Sequence, residues 1–186
     1  MKSREIACAS ILAALASLLT LSGASTILRM PPPFSYLVFD PSEIPSLIAY
    51  LLYGFKVSVL VATLHFTFLL FRGEFVPIGP LMKFLAVLSM IIGFHLFKRK
   101  TRESTRVLIS SVFRALVMSI ANFILLVTLF KMVVMVVNPN FTVGLVIVLL
   151  VTAAYNIVHV VVFDYPIAKL IVYKLRGIKR KSVYYF

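Results

Sequence analysis

Charged side chains are scarce in this sequence: 13% of its 186 residues are Asp, Glu, Lys or Arg, whereas 61% are apolar and the mean hydropathy is +1.05. A soluble domain carries roughly 25% charged residues, so a water-soluble fold is excluded and an integral membrane protein follows. Cysteine is rarer still. Cys8 has no partner within the chain, which rules out an intrachain disulfide or a cysteine cluster for a metal. There is no G-x-x-x-x-G-K-[ST] loop for a nucleotide and no H-E-x-x-H pattern for a catalytic zinc. His65, His95 and His159 fall on separate apolar runs at differing depths, so neither a metal site nor a nucleophile and base pair is expected. No repeat-related pair of interrupted helices is visible, which argues against a pump that works unaided. With catalytic residues, cofactors and metals set aside, binding and structural roles remain.

Acidic residues are also few, and the excess of basic ones gives a formal net charge of +13. Such a balance can signal nucleic acid, but here the basic residues gather at the ends of apolar runs: Lys2 and Arg4, KRKTRESTR at 98–106, and KLRGIKRK at 174–181. The positive-inside rule places these segments and both termini in the cytoplasm, as expected for a multi-pass protein of the cell membrane with no nucleic-acid partner. The length allows about six spans of ~20 residues and leaves no room for a separate soluble domain. The expected fold is therefore an all-α, six-transmembrane-helix bundle forming one membrane domain over 1–186, with helices at about 6–24, 44–55, 57–71, 80–97, 107–137 and 143–173. The run 44–71 is long for one span and short for two; two short helices turning at Gly54 and Lys56 keep 98–106 on the side of Lys2 and Arg4. Pro166, well inside the last span, is expected to kink it.

Between the first two helices lies MPPPFSYLVFDPSEIPS at 30–46. Three consecutive prolines hold the backbone extended and end the preceding helix, while Asp40 and Pro41 open a turn that Ser42 and Pro45 convert into the next helix. A proline-stiffened loop carrying Phe34, Tyr36 and Phe39, with Asp40 and Glu43 at its corner, reads as a structured outer lid over a ligand. An aromatic loop resting on lipid headgroups is the other reading.

Polar residues within the spans are the remaining candidates. On the first helix Ala9, Ala13 and Ser17 repeat every four residues, a stripe on which another helix can approach closely, although alanine is common in any transmembrane helix. That segment's basic start and SGAS end also fit a cleaved leader, but its apolar core is longer than the roughly 7–15 residues of one. His65 and Thr67 lie in mid-span, where a helix-to-helix hydrogen bond would explain them; Lys83 either snorkels to the outer surface or enters a pocket. Asn122 is a bundle cross-link or a ligand contact. Asn156 and His159, three residues apart, share a face in the outer half. Arg114 and Asp164 lie at similar depth, so a structural interhelical ion pair is expected.

In order, the Ala-x-x-x-Ala first helix, PPPFSYLVFDPSEIPSLIAYLLYGF, IGPLMKFL, a basic inner loop, Asn122 and YNIVH resemble the substrate-binding S component of energy-coupling factor (ECF) vitamin transporters, closest to the riboflavin branch. The resemblance covers nearly the whole chain, and DPSEIPSLI is its most specific element. It implies a vitamin pocket near the outer face, closed by the loop after the first helix, with riboflavin as transported ligand rather than cofactor. A membrane coupling subunit would dock on the Ala9, Ala13 and Ser17 stripe, and two ATPases would supply the work. By similarity Asn122 and Asn156 match polar pocket positions, and Phe34 and Tyr36 belong to the covering segment; Asp40, Glu43, His65, Thr67, Lys83 and His159 complete the expected ligand-binding set. This chain departs from the pattern at His65, Phe66, Pro80, Lys83 and His159. The departures admit a different flavin or another heterocyclic vitamin, and His159 in place of lysine predicts an affinity that varies with pH between about 5 and 8. A structural or assembly membrane protein is the alternative from another class.

Overall fold

The computed structural model describes residues 1–72, 75–96 and 101–182, with side chains as far as 177. The basic turn expected at 98–100 lies outside the described residues. Every named element is helical: α1 (Ser3–Leu21), α2 (Ala24–Ile27), a 3-10 turn (Pro41–Glu43), α3 (Ile44–Tyr53), α4 (Phe55–Arg72), α5 (Ile78–Leu96), α6 (Glu103–Thr128), α7 (Lys131–Val137), α8 (Phe141–Val158) and α9 (Tyr165–Ser182). A π-helical segment, His159–Asp164, joins the last two. Five stretches are long and apolar enough to cross a membrane: α1, α4, α5, α6 and the continuous Phe141–Gly177. The short α3 is not among them. Its residues 44–50 are all buried, so α3 is a central packing helix, apolar on every side because it meets protein all round.

Gly54 separates α3 from α4 with φ +90°, a backbone conformation that L side chains rarely adopt. Its N–H satisfies the Tyr50 carbonyl at 3.0 Å, so the apolar run 44–71 folds back on itself instead of crossing once.

The first helix corrects the expected docking face. Ala9 and Ala13 are buried in a cluster with Ala49, Val57 and Val61, so the chain's own α3 and α4 fill the small-residue stripe. Ser17 turns its hydroxyl back to the Ala13 carbonyl at 3.0 Å. Small side chains permit a close helix approach, but they do not say which helix makes it. The outward face of α1 instead carries Ala7, Ser10 and Ala14 among Ile11, Leu15 and Leu18.

The helix expected over 107–137 is two helices. The amides of Leu129 and Phe130 both bond to the Leu125 carbonyl, at 2.8 and 3.0 Å, and the chain then turns into α7. Neither glycine nor proline marks this break; packing sets it. At Gly144 on α8 an added Cβ would lie 2.6 Å from the Val134 carbonyl, so α7 sits directly against α8. Pro166 perturbs the last span in a particular way: it offers no N–H and crowds the preceding turn, and the helix widens into the π segment just before it.

Contacts between elements define two ends. At one, Cys8 Sγ donates to the Tyr53 hydroxyl at 3.2 Å, Phe55 stacks on His95 at 4.5 Å, and Glu103 meets Lys169 at 2.7 Å. This end holds Lys2, Arg4, Arg102 and Arg106 and is the basic end. The loop between α2 and α3 covers the other.

Candidate functional site: a lidded polar cluster

The lid begins as a short paired loop. Met30 N–H donates to the Leu37 carbonyl at 3.0 Å and Phe39 N–H to the Leu28 carbonyl at 3.1 Å, while Leu37 is buried beneath. These bonds satisfy backbone groups that the prolines leave outside any helix.

Its side chains then reach into the bundle. Phe34 packs on the apolar cluster of Leu126, Val134 and Val148, supplied by α6, α7 and α8. The Tyr36 hydroxyl lies 3.0 Å from Thr152 Oγ1. Phe39 contacts the rings of Tyr155, His159 and Phe163, with centroids 4.9, 5.3 and 5.7 Å away. Asp40 caps the 3-10 turn by accepting from Ser42 N–H at 2.9 Å, and its other oxygen pairs with the Lys83 ammonium. Burial opposes ionisation of Asp40, but Lys83 and the Ser42 bond outweigh it and hold its carboxyl below the usual carboxylate range.

Three residues further on, Glu43 enters the core. Its carboxylate accepts from Arg114 Nη1 at 2.5 Å and Nη2 at 3.3 Å. The same guanidinium donates to Asp164 Oδ2 at 3.2 Å, to His159 Nδ1 at 2.8 Å and, through Nε, to Asn156 Oδ1 at 2.9 Å. Asn156 is oriented by its own donation to the Thr152 carbonyl at 2.8 Å. Arginine is always a donor, so His159 Nδ1 carries no proton and the ring joins the cluster as a neutral acceptor. A buried guanidinium is tolerable only when paired and fully hydrogen-bonded, and here Glu43 at the lid's base, Asn156 on α8 and His159 and Asp164 on the π segment supply the partners. Glu43, His159 and Asp164 lie within 4.8 Å of one another, a spacing that metal ligands share. Arg114 bonds all three, so a permanent cation already occupies the place between them.

The structure thus brings Glu43, Arg114, Asn156, His159 and Asp164 into one cluster, and Asp40 and Lys83 into a second pair above it. Arg114 and Asp164 are not an isolated pair: they share their site with Glu43, Asn156 and His159. His65 Nε2 lies 3.1 Å from Thr20 Oγ1, linking α4 to α1. His65 also lines, with Ser46, Lys83, Phe66 and Phe84, a cavity of about 10 Å³, roughly one water's worth. Asn122 is buried two turns beyond Arg114 on α6 and bonds the Met118 carbonyl at 2.8 Å, with no bond to the cluster among the described residues. Thr67 stands apart. It is exposed on the far side of α4 and returns its hydroxyl to the Thr63 carbonyl at 3.0 Å.

Sequence reasoning left out Thr152, Tyr155 and Ser46. Thr152, Tyr155, Asn156 and His159 recur at helical three- and four-residue spacing, which could have singled out that face. Ser42 Oγ, Ser46 Oγ and the Tyr155 hydroxyl are enclosed without hydrogen-bond partners among the described residues, so polar capacity remains under the lid.

A helical membrane bundle with one end closed by an aromatic lid over convergent polar groups defines a solute-capturing membrane protein rather than a bare scaffold. The chain belongs to the substrate-specific components of ECF transporters, whose family model matches residues 4–168. It is 29% identical over 140 residues, 71% of this chain and 70% of the relative's length, to the riboflavin transporter RibU of Staphylococcus aureus (strain TCH60). It also shares its fold with a solved structure of the S component of a bacterial ECF transporter: the TM-score is 0.73 at 24% identity, covering 96% of this chain and 98% of the other.

Proposed function

We propose that this protein is the riboflavin-capturing S component of an ECF uptake system, binding the vitamin at the lidded end. The similarity to the riboflavin transporter RibU carries the choice of ligand. The chemistry beneath the lid is compatible with it. A flavin offers a flat aromatic face and a polar edge; Phe39, Tyr155, Phe66 and Phe84 can stack on the first, and Ser46, His65, Lys83 and Asn122 can bond the second.

A drug-sized ligand needs roughly 300–1,000 Å³, far more than the 10 Å³ beside His65 and Lys83. Capture therefore requires the lid to lift, with Phe39 withdrawing from its three aromatic neighbours and Asp40 releasing Lys83. Glu43 stays on Arg114 and acts as the lid's anchor. The basic end faces the cytoplasm, both termini lie there, and the lid faces outward. A membrane coupling subunit and ATPases complete the transporter, and the exposed Ala7, Ser10 and Ala14 face of α1 offers that subunit a close approach.

The test is the absorption spectrum of detergent-purified protein from cells supplied with riboflavin. Flavin bands in near-stoichiometric amount, released on denaturation, are expected. A colourless protein that takes up no added riboflavin but does bind another vitamin would keep the family and discard this ligand.

A further inference from the structure

At the basic end, α3, α5, α6 and α9 line an open cavity of about 340 Å³ that the capture function does not use. We propose that it is a binding site for a phosphate group, held there as the headgroup of an anionic phospholipid.

Two unpartnered groups lead to this assignment. Arg106 and Tyr50 both line the cavity, and their Nε and hydroxyl lie closed off behind its wall without a hydrogen-bond partner among the described residues. Tyr50 is itself only 6% exposed. Leaving an enclosed guanidinium N–H without an acceptor is costly, and a turn of the Arg106 and Tyr50 side chains toward the cavity would give both groups an acceptor on an oxygen-rich anion.

Charge points the same way. The lining contains Glu103, Arg106, Lys169 and Arg176. Glu103 is already engaged by Lys169 at 2.7 Å and by the Tyr165 hydroxyl. Arg176 donates to the neutral Leu51 carbonyl at 3.1 Å. The guanidinium charges of Arg106 and Arg176 therefore have no carboxylate partner among the described residues, and a phosphate ester matches them in charge and geometry.

The remaining walls favour a lipid over a free ion. Leu51, Phe94 and Val172, from α3, α5 and α9, add apolar surface to the lining. A headgroup seated on Arg106 would bring its glycerol and acyl portion against that surface. Basic pockets between helices at the cytoplasmic boundary suit such headgroups.

Native mass spectrometry of the intact protein, released from nanodiscs, tests the site. The nanodiscs contain equal phosphatidylglycerol and phosphatidylcholine. One phosphatidylglycerol retained about tenfold over phosphatidylcholine is expected, with that preference lost in Arg106→Gln and kept in Lys174→Gln, whose side chain lies outside the cavity. Riboflavin binding is measured on each variant to establish that the fold persists. If Arg106→Gln fails to fold, Arg176→Gln, at an exposed position, replaces it. Millimolar inorganic phosphate stabilising the wild type but not the Arg106 variant, with no lipid retained, would keep the phosphate site and overturn the lipid source. Equal retention of both lipids, or equal loss in the Lys174 variant, would overturn the site itself.

Discussion

Asp40 and Glu43 sit three residues apart at the base of one loop, yet they enter opposite kinds of ion pair. Glu43 is bound twice by a guanidinium that also holds Asp164, His159 and Asn156, all inside the protein. Asp40 meets one lysine, and both of those side chains remain partly exposed, at 14% and 16%. A charge with several buried partners cannot be released without stranding the others, whereas a single pair near water can open and close. The lid thus has an anchor and a latch in one turn.

Breaking the anchor should have the largest effect. Arg114→Met leaves Glu43 and Asp164 buried without their cation, a change that typically costs ~3–5 kcal/mol, and should sharply lower thermal stability in detergent. Next is Ala13→Leu, which drives extra methylenes into the packed α1 interface with α3 and α4 and should cost about 1–3 kcal/mol by the same measurement. Ala14→Leu, one residue along on the exposed face, should leave stability unchanged and weaken co-purification with the coupling subunit.

Opening the latch should be milder and should appear in ligand binding. Asp40→Asn is expected to weaken riboflavin by ~1–2 kcal/mol, mostly as faster release, with little change in unfolding temperature. The pH dependence follows the same pair. A carboxyl whose pKa with the lid closed lies below its ordinary ~3.9 holds the lid shut fully above that value, and that contribution is lost as pH falls through the depressed one. Affinity should therefore be level from about pH 8 to 5 and fall below ~4. Variation between 5 and 8, expected from His159 on the sequence alone, would mean that the ring leaves Arg114. The smallest effect belongs to Thr67→Val, within about 0.5 kcal/mol on stability and none on binding.

The contrast between anchor and latch also marks where the sequence could be read. The Asp40, Pro41, Ser42 turn was legible because it acts locally on the backbone, whereas prolines 31–33 do not form the expected extended stretch: the Phe34 N–H closes a turn on the Pro31 carbonyl at 3.0 Å, and α1 has already ended at Leu21. Gly54 was legible as a turn because charge topology required one nearby. Arg114 and Asp164 could be matched by depth, but depth does not give azimuth, so their union with Glu43, Asn156 and His159 was not. Ala9 and Ala13 mark a close helix approach in either context, and nothing local distinguishes an internal neighbour from a partner. The break at Leu129 and Phe130 carries no glycine or proline and depends on α7 seating on Gly144. Thr67 lies two residues from His65 and so about 200° around the helix, which should have separated them.

The most direct test is riboflavin titration of the purified wild type and Asp40→Asn proteins, followed by quenching of flavin fluorescence. The account predicts saturable, stoichiometric quenching with a nanomolar Kd for the wild type, worth ~12 kcal/mol, and roughly tenfold weaker binding for the variant. Absence of quenching in a folded wild type would contradict riboflavin capture, and equal affinity in the two proteins would contradict the latch.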